Sequence, residues 1–175
     1  MRREVQSIVG YAAAFFAATT ATIFWTRYSG GLALFWPGTA IAAALFLTLP
    51  YRKWAVPAGI LLVLSTIATA FFGFGPGPAL PLAFVNVSEA LLTAHLLRKF
   101  RPQGDYVTSG PGILALIGIA GFAVPITLSL FGSFIAWRAV GGEWWLHTMA
   151  WIVGHGLGAM LVMPLVLLIS GYARS

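Results

Sequence analysis

Six long apolar runs follow one another along this chain, and they limit its fold more than any other feature. The runs cover about residues 7–26, 32–49, 55–74, 79–97, 111–137 and 144–169, with short polar or basic segments between them. An α-helix needs roughly 20 apolar residues to cross a bilayer. Only 8% of the residues are charged, against about 25% in an average soluble domain. The sequence therefore predicts an all-α, polytopic bundle of six transmembrane helices, which forms a single domain over residues 1–175 with the lipid bilayer as its solvent.

Basic residues are concentrated on one side of the predicted bundle. If the N-terminus faces the cytoplasm, the outer loops carry only Arg27 and Arg138. The inner ends and loops then carry Arg2, Arg3, Arg52, Lys53, Arg98, Lys99, Arg101 and Arg174. Cytoplasmic loops are enriched in Lys and Arg, so we expect both termini to be cytoplasmic. This distribution accounts for the net charge of +6 without a nucleic-acid partner.

Glu89 is an acidic residue inside the fourth run. Ionisable residues at membrane depth are costly and are functional candidates by default. Glu89 lies about ten residues into its run, which is roughly 15 Å along a helix and near mid-membrane. Asn86 and Thr93 lie three residues before it and four after it, on the same helix face. We expect this polar stripe to face the interior of the bundle.

The sixth run carries a second stripe, with His147, Trp151 and His155 at intervals of four residues. His155 lies roughly 16 Å inside the outer end, at the depth of Glu89. We therefore predict that Glu89 and His155 face each other, or share one polar cavity in the outer half of the bundle that Trp36 helps to wall. The alternative for both residues is a structural hydrogen bond between helices, worth about 1 kcal/mol.

The other two histidines have simpler interpretations. His147, beside the aromatic pair Trp144 and Trp145, is expected at the membrane interface. His95, near the inner end of the fourth run, is expected to extend towards the headgroups. Haem ligation is disfavoured, because His147 and His155 lie about 12 Å apart on one helix face and cannot hold a single porphyrin between them.

Gly154 and Gly158 form a Gly-x-x-x-Gly pair around His155. Small residues at this spacing let two helices approach closely. We interpret the pair as a packing face. It would serve either a homodimer or, within one chain, another helix or a ligand beside His155.

Motifs for catalysis are missing from the sequence. There is no cysteine, which excludes thiol catalysis and cysteine-ligated metals. No phosphate-binding loop with a lysine, zinc-ligand spacing or nucleophile elbow is present. The only aspartate, Asp105, lies in an inner loop. We expect a protein without catalytic activity, metal or cofactor that senses or binds an unidentified small ligand.

Three segments resemble the membrane-associated sensor domain of the first type (the MASE family). Residues 34–42, Leu-Phe-Trp-Pro-Gly-Thr-Ala-Ile-Ala, are similar to its Trp-Pro-x-x-Gly-Ile-Ala signature. Residues 86–92, Asn-Val-Ser-Glu-Ala-Leu-Leu, are similar to its Asn-x-x-Glu-Ala-Leu helix. Residues 151–158, followed by Pro164, resemble its closing Trp-x-x-Gly-Asp-x-x-Gly…Pro segment, although the family often has Asp where this chain has His155. The resemblance covers about residues 30–168.

This resemblance implies an integral membrane input module of bacterial histidine kinases and diguanylate cyclases, in the cytoplasmic (inner) membrane. It places two-component or cyclic di-GMP signalling downstream, through an output domain in cis or a partner in trans. The residues that both arguments select for ligand binding are Trp36, Asn86, Glu89, Trp151 and His155. No output domain follows Ser175, so we expect either a truncated protein or a stand-alone module that signals through a partner.

Two other functions fit a six-helix membrane protein of this length. One is the substrate-binding component of a transporter for a small, vitamin-like molecule, which would co-purify with an ATPase module. The other is a ligand-free module for partner docking, which the absence of any cavity between the second, fourth and sixth runs would favour.

Overall fold

The computed structural model describes residues 2–26 and 33–171, with side chains from Val5 to Trp25 in the first range. Arg27, Arg174 and the side chains of Arg2 and Arg3 therefore lie outside the described part. Six helices make up the described fold: α1 (Arg2–Thr26), α2 (Pro37–Thr48), α3 (Ala55–Phe72), α4 (Pro76–Phe100), α5 (Gly110–Val140) and α6 (Trp144–Ile169). A single 3₁₀ turn, Tyr51–Lys53, connects α2 to α3.

Five helices in the described part, all except α2, are long and apolar enough to cross a membrane. α2 has only 12 residues, about 18 Å of helix, whereas the sequence predicted a second span over residues 32–49. The difference arises at Pro37, because a residue that precedes proline is disfavoured in the helical region. Trp36 is accordingly non-helical, at φ −124° and ψ 85°, and the helix begins at Pro37.

α2 is the central helix of the bundle. Every residue from Pro37 to Leu47 is buried, and the helix packs against α1, α4 and α6. A helix that is apolar all round belongs in an interior. This burial places both ends of α2 inside the protein, where their free backbone groups need partners.

The C-terminal end of α2, which the charge distribution predicts to be its inner end, receives those partners from two side chains. Arg98 Nη2 donates to the carbonyl oxygens of Phe46 at 3.1 Å and of Leu47 and Leu49 at 2.6 Å each. The indole N–H of Trp54 donates to the carbonyls of Phe46 at 2.9 Å and Leu49 at 3.0 Å. A cation at a helix C-terminus also interacts favourably with the helix dipole, so this end of α2 is closed by hydrogen bonds and charge together.

Pro125 and Pro164 have different effects on the long helices that contain them. The sequence predicts kinks at Pro125 in α5 and Pro164 in α6. In α5 a π-helical turn, Ile117–Ala123, lies directly before Pro125, as expected where the ring removes a backbone donor. α6 continues through Pro164 without a break and has the predicted bounds.

Candidate functional site

Glu89 and His155 meet in the interior of the bundle, as the depth argument predicted. His155 Nδ1 lies 2.9 Å from Glu89 Oε1 and 2.8 Å from Oε2. The indole N–H of Trp151 donates to Oε2 at 3.2 Å. Glu89 is only 2% exposed and His155 only 4%. A carboxylate buried to this degree is tolerated only when polar partners compensate for its lost hydration, and His155 and Trp151 supply them.

Two indole rings enclose the His155 imidazole. The Trp151 ring is stacked on it with centroids 4.3 Å apart and planes 19° apart. The Trp36 ring lies nearly parallel to the imidazole, with centroids 5.6 Å apart and planes 10° apart. Trp151 reaches this position because it lies four residues before His155 on α6, where side chains share a face. The two rings restrict rotation of the imidazole and keep Nδ1 directed at Glu89.

Gly154 and Gly158 make room for Trp36, the second indole beside His155. The backbone N–H of Trp36 donates to the carbonyl of Gly154 at 2.9 Å. A Cβ on Gly154 would lie 2.7 Å from the carbonyl oxygen of Ala33, and one on Gly158 would overlap the carbonyl oxygen of Trp36. The glycine pair therefore accommodates the extended segment that leads into α2. The sequence left a homodimer face open as well, and this intramolecular contact explains the pair without one.

Asn86 is buried one turn before Glu89 on α4 and is only 4% exposed. Its Nδ2 donates to Ser65 Oγ on α3 at 3.3 Å. Its Oδ1 has no hydrogen-bond partner among the described residues. Thr93, the third member of the predicted stripe, is buried too. Ser65 was missed in the sequence, where a single serine in an apolar run gave no sign of its partner.

A small cavity adjoins the stacked rings. Its volume is about 30 Å³. Its walls are formed by α1, α3, α4, α6, the turn between α3 and α4, and the segment before α2: Ile23, Ala33, Trp36, Thr69, Gly73, Phe74, Leu82, Asn86, Trp151 and His155. The sequence selected four of these residues; the walls from α1 and α3 were not predicted, because they become neighbours only through packing.

The two remaining histidines lie away from this cluster. His147 is buried near the start of α6, and its Nε2 is 2.8 Å from the carbonyl oxygen of Gly141. Positive φ angles at Gly141 and Gly142 turn the chain back over the start of α6, which covers His147. His95 is exposed near the inner end of α4, with Nδ1 3.4 Å from the Tyr51 hydroxyl.

No group of three or more His, Asp or Glu side chains within residues 5–26 and 33–171 could hold a metal ion. The side chains that meet at the site form hydrogen bonds and aromatic contacts. Glu89 fixes the imidazole, the indoles cover it, and the side chains of Trp36 and Asn86 contribute to the wall of the adjoining cavity.

Comparison with known proteins gives one positive result. A family model described as MASE1 matches residues 8–175, which is nearly the whole chain. Neither a curated protein nor a solved structure matches.

Proposed function

The chain belongs to the MASE1 family of membrane-associated sensor domains, and on that premise we propose that it is the signal-input module of a bacterial signalling protein. Its ligand binds in the cavity beside Glu89, His155 and Trp36. The bound state alters the position of α6, and this change is relayed to a cytoplasmic kinase or cyclase, in the same chain or in a partner. The membrane part itself catalyses no reaction.

The Glu89–His155 pair is the observation that carries this proposal. Burying two ionisable groups at mid-membrane is costly, and replacing such a pair with apolar residues is often neutral or stabilising. Stability alone therefore gives little reason to keep the pair. A cavity with polar groups on its walls lies next to it, which supports ligand binding over a purely structural hydrogen bond and over a ligand-free docking module.

The topology we propose has six crossings with both termini in the cytoplasm, in the bacterial inner membrane. The five long helices account for five crossings. α2 would complete the sixth together with the non-helical segment before Pro37, because a break is tolerated at membrane depth where protein surrounds it. Of the six cations with described side chains, Arg52, Lys53, Arg98, Lys99 and Arg101 would then lie on the inner side and Arg138 on the outer side, the asymmetry that the positive-inside rule expects.

A ligand shifts an equilibrium between two states only as far as it binds one of them better. The site offers such a difference, because its parts belong to separate elements. Glu89 is on α4, His155 is on α6, and Trp36 precedes α2. A ligand that separates Trp36 from His155, or draws them together, moves α6 relative to α2, and the C-terminal end of α6 is where an output domain would continue.

The direct test reads signal output from the full chain fused to a cytoplasmic kinase or cyclase reporter. We expect Glu89→Gln and His155→Ala to lock the reporter in one state, with a change of at least about tenfold if the pair contributes about 1.4 kcal/mol to the equilibrium between states. His95→Ala is the matched control, because this histidine is exposed and remote from the cavity. Normal signalling by both site variants, with normal folding and expression, would refute this site.

A further inference from the structure

The ring of helices around α2 is open on one side. α1 packs against α2 and α3, and α6 packs against α2 and α5, but within the described residues α1 and α6 do not pack closely against each other. A groove with a volume of about 420 Å³ lies between them, and Ile41 of α2 forms its floor. Since α1 and α6 are both long and apolar enough to span the membrane, the groove opens towards the bilayer.

The groove changes from polar to apolar along its length. Gln6 and Ser7 near the start of α1 and Ser170 after the end of α6 line one end, which the charge distribution predicts to be cytoplasmic. Ala14 lines the groove about 12 Å further along α1. Ile41 lies about 10 Å before the C-terminal end of α2. This order, polar at the membrane surface and apolar beneath it, matches that of a lipid leaflet.

The width of the groove suits a hydrocarbon chain better than a helix. Gly10 lies one turn from both Gln6 and Ala14, on the same face of α1, and a Cβ there would meet nothing within 4 Å. A helix is about 10 Å across with its side chains, so a 12 Å length of helix would fill roughly 900 Å³. That is more than twice the volume of the groove. A single acyl chain is much thinner and can follow the groove along α1.

The sequence on either side of the groove is basic. Arg2 and Arg3 lie one turn before the polar end of the groove on α1, and Arg174 follows the end of α6. Glu4 is the single acidic residue in the sequence of these two segments. Basic residues beside a membrane attract anionic lipids. The amide of Gln6, which is exposed, can in addition donate to phosphate oxygens.

We propose that this groove binds one anionic phospholipid of the inner leaflet. An acyl chain lies against Gly10 and Ile41, and the phosphate lies at the level of Gln6. The lipid contacts α1 and, at Val166, the last turn of α6, and it thereby links the first helix to the last. The groove shares no described lining residue with the cavity beside His155. It is therefore a second site, and this inference does not depend on the proposed function.

Native mass spectrometry of the purified full chain in a mild detergent counts bound lipids directly. Dioleoylphosphatidylglycerol and dioleoylphosphatidylcholine have the same acyl chains, and only the first carries a net negative charge. We expect each chain to retain one molecule of the phosphatidylglycerol, with a Kd at least about tenfold lower than that of the phosphatidylcholine.

Gly10→Leu tests whether the lipid occupies the groove, because the new side chain would fill it. We expect phosphatidylglycerol binding to weaken at least about tenfold. The variant should fold normally, since a Cβ at Gly10 meets no protein atom and leucine is the better helix former; circular dichroism checks this. Gly59→Leu is the matched control, because Gly59 is an exposed helical glycine on α3 with equally open surroundings. Arg2→Gln combined with Arg3→Gln should reduce the preference for phosphatidylglycerol and leave phosphatidylcholine binding unchanged.

Three results would overturn this site. They are equal binding of the two lipids by the original chain, unchanged phosphatidylglycerol binding by folded Gly10→Leu, and equal weakening by Gly10→Leu and Gly59→Leu. A dimer of the original chain that Gly10→Leu separates would assign the groove to a second copy and would overturn the lipid site as well. The proposed sensory function is tested separately, by the reporter output of Glu89→Gln and His155→Ala.

Discussion

The two ends of α2 are held in opposite ways. At the inner end, Arg98 and Trp54 together donate to the carbonyls of Phe46, Leu47 and Leu49. At the outer end, among the described residues, Trp36 is held by a backbone hydrogen bond to Gly154 and by the contact of its ring with His155. Polar atoms there remain without partners among the described residues.

This contrast indicates which end can respond to a signal. Moving the inner end would break several charge-assisted hydrogen bonds at once, which are the stronger kind. Within the described residues, moving the outer end would break the Trp36–Gly154 hydrogen bond and the ring contact with His155, neither of which involves a full charge on the donor. The inner end is therefore the anchor of α2, and under the proposed function the outer end is the part that a ligand would displace.

The largest effect is expected from a substitution that blocks the close approach of the segment before Pro37 to α6. Gly158→Ala places a Cβ on the carbonyl oxygen of Trp36, and backbone cannot move aside as a flexible side chain can. We expect a loss of about 2–3 kcal/mol in the free energy of unfolding, together with displacement of Trp36 from His155. Unfolding by sodium dodecyl sulfate in mixed micelles, followed by circular dichroism, measures this loss.

Gly59→Ala is the control for that substitution. Gly59 lies within α3, and a Cβ there would meet nothing within 4 Å. Alanine is the better helix former by about 1 kcal/mol, so this variant should be as stable as the original or more so. Equal destabilisation by both substitutions would mean that the outer segment does not depend on the glycine face of α6.

Removing the cation at the inner end tests the anchor. Arg98→Met keeps most of the side-chain length but leaves the carbonyls of Leu47 and Leu49 without their charged donor, while Trp54 still reaches Leu49. We expect a loss of about 2 kcal/mol, since hydrogen bonds from charged groups contribute about 1.5–3 kcal/mol. The same detergent titration gives the value.

Lys99→Met removes the neighbouring charge, which is exposed, and should change stability by less than about 0.5 kcal/mol. If Arg98→Met were as mild, the inner end of α2 would not be an anchor. Hydrogen exchange adds a second readout, because in Arg98→Met the amides at the C-terminal end of α2 should exchange faster than those near Pro37.

The sequence predicted the Glu89–His155 pair better than it predicted α2 and the partners of its inner end. Helix rise alone placed Glu89 and His155 at one depth, since both lie in long helices whose ends are marked by charge. The length of α2 was wrong because hydropathy does not distinguish a helix from an apolar segment that enters it; Pro37 was the available signal. The Arg98 cap and the Ser65 partner of Asn86 were not predictable, because each joins residues from helices whose relative rotation depends on packing.

The smallest expected effect concerns the loop between α4 and α5. It tests whether the anchoring at the inner end of α2 extends to this loop. Between α4 and α5, the Arg101 guanidinium forms an ion pair with Asp105, and the Ser109 hydroxyl donates to the same carboxylate. These bonds lower the pKa of Asp105 below its ordinary value of 3.8, and the bond from Arg101 has the largest effect. A lowered pKa in the folded state means that the carboxylate stabilises the fold fully above pH 3.8 and loses that contribution as the pH falls towards the folded-state pKa.

Asp105→Asn should therefore flatten the acid side of the stability profile between about pH 5 and 2. The effect will be small, because exposed ion pairs contribute little and are screened by salt. Circular dichroism melts across that range, with the original chain and Glu143→Gln as controls, isolate it: Glu143 is an exposed acidic residue at the outer loop before α6. A profile for Asp105→Asn that keeps its full acid slope would show that the loop between α4 and α5 is not part of the anchored inner side, and would confine the anchor to Arg98 and Trp54.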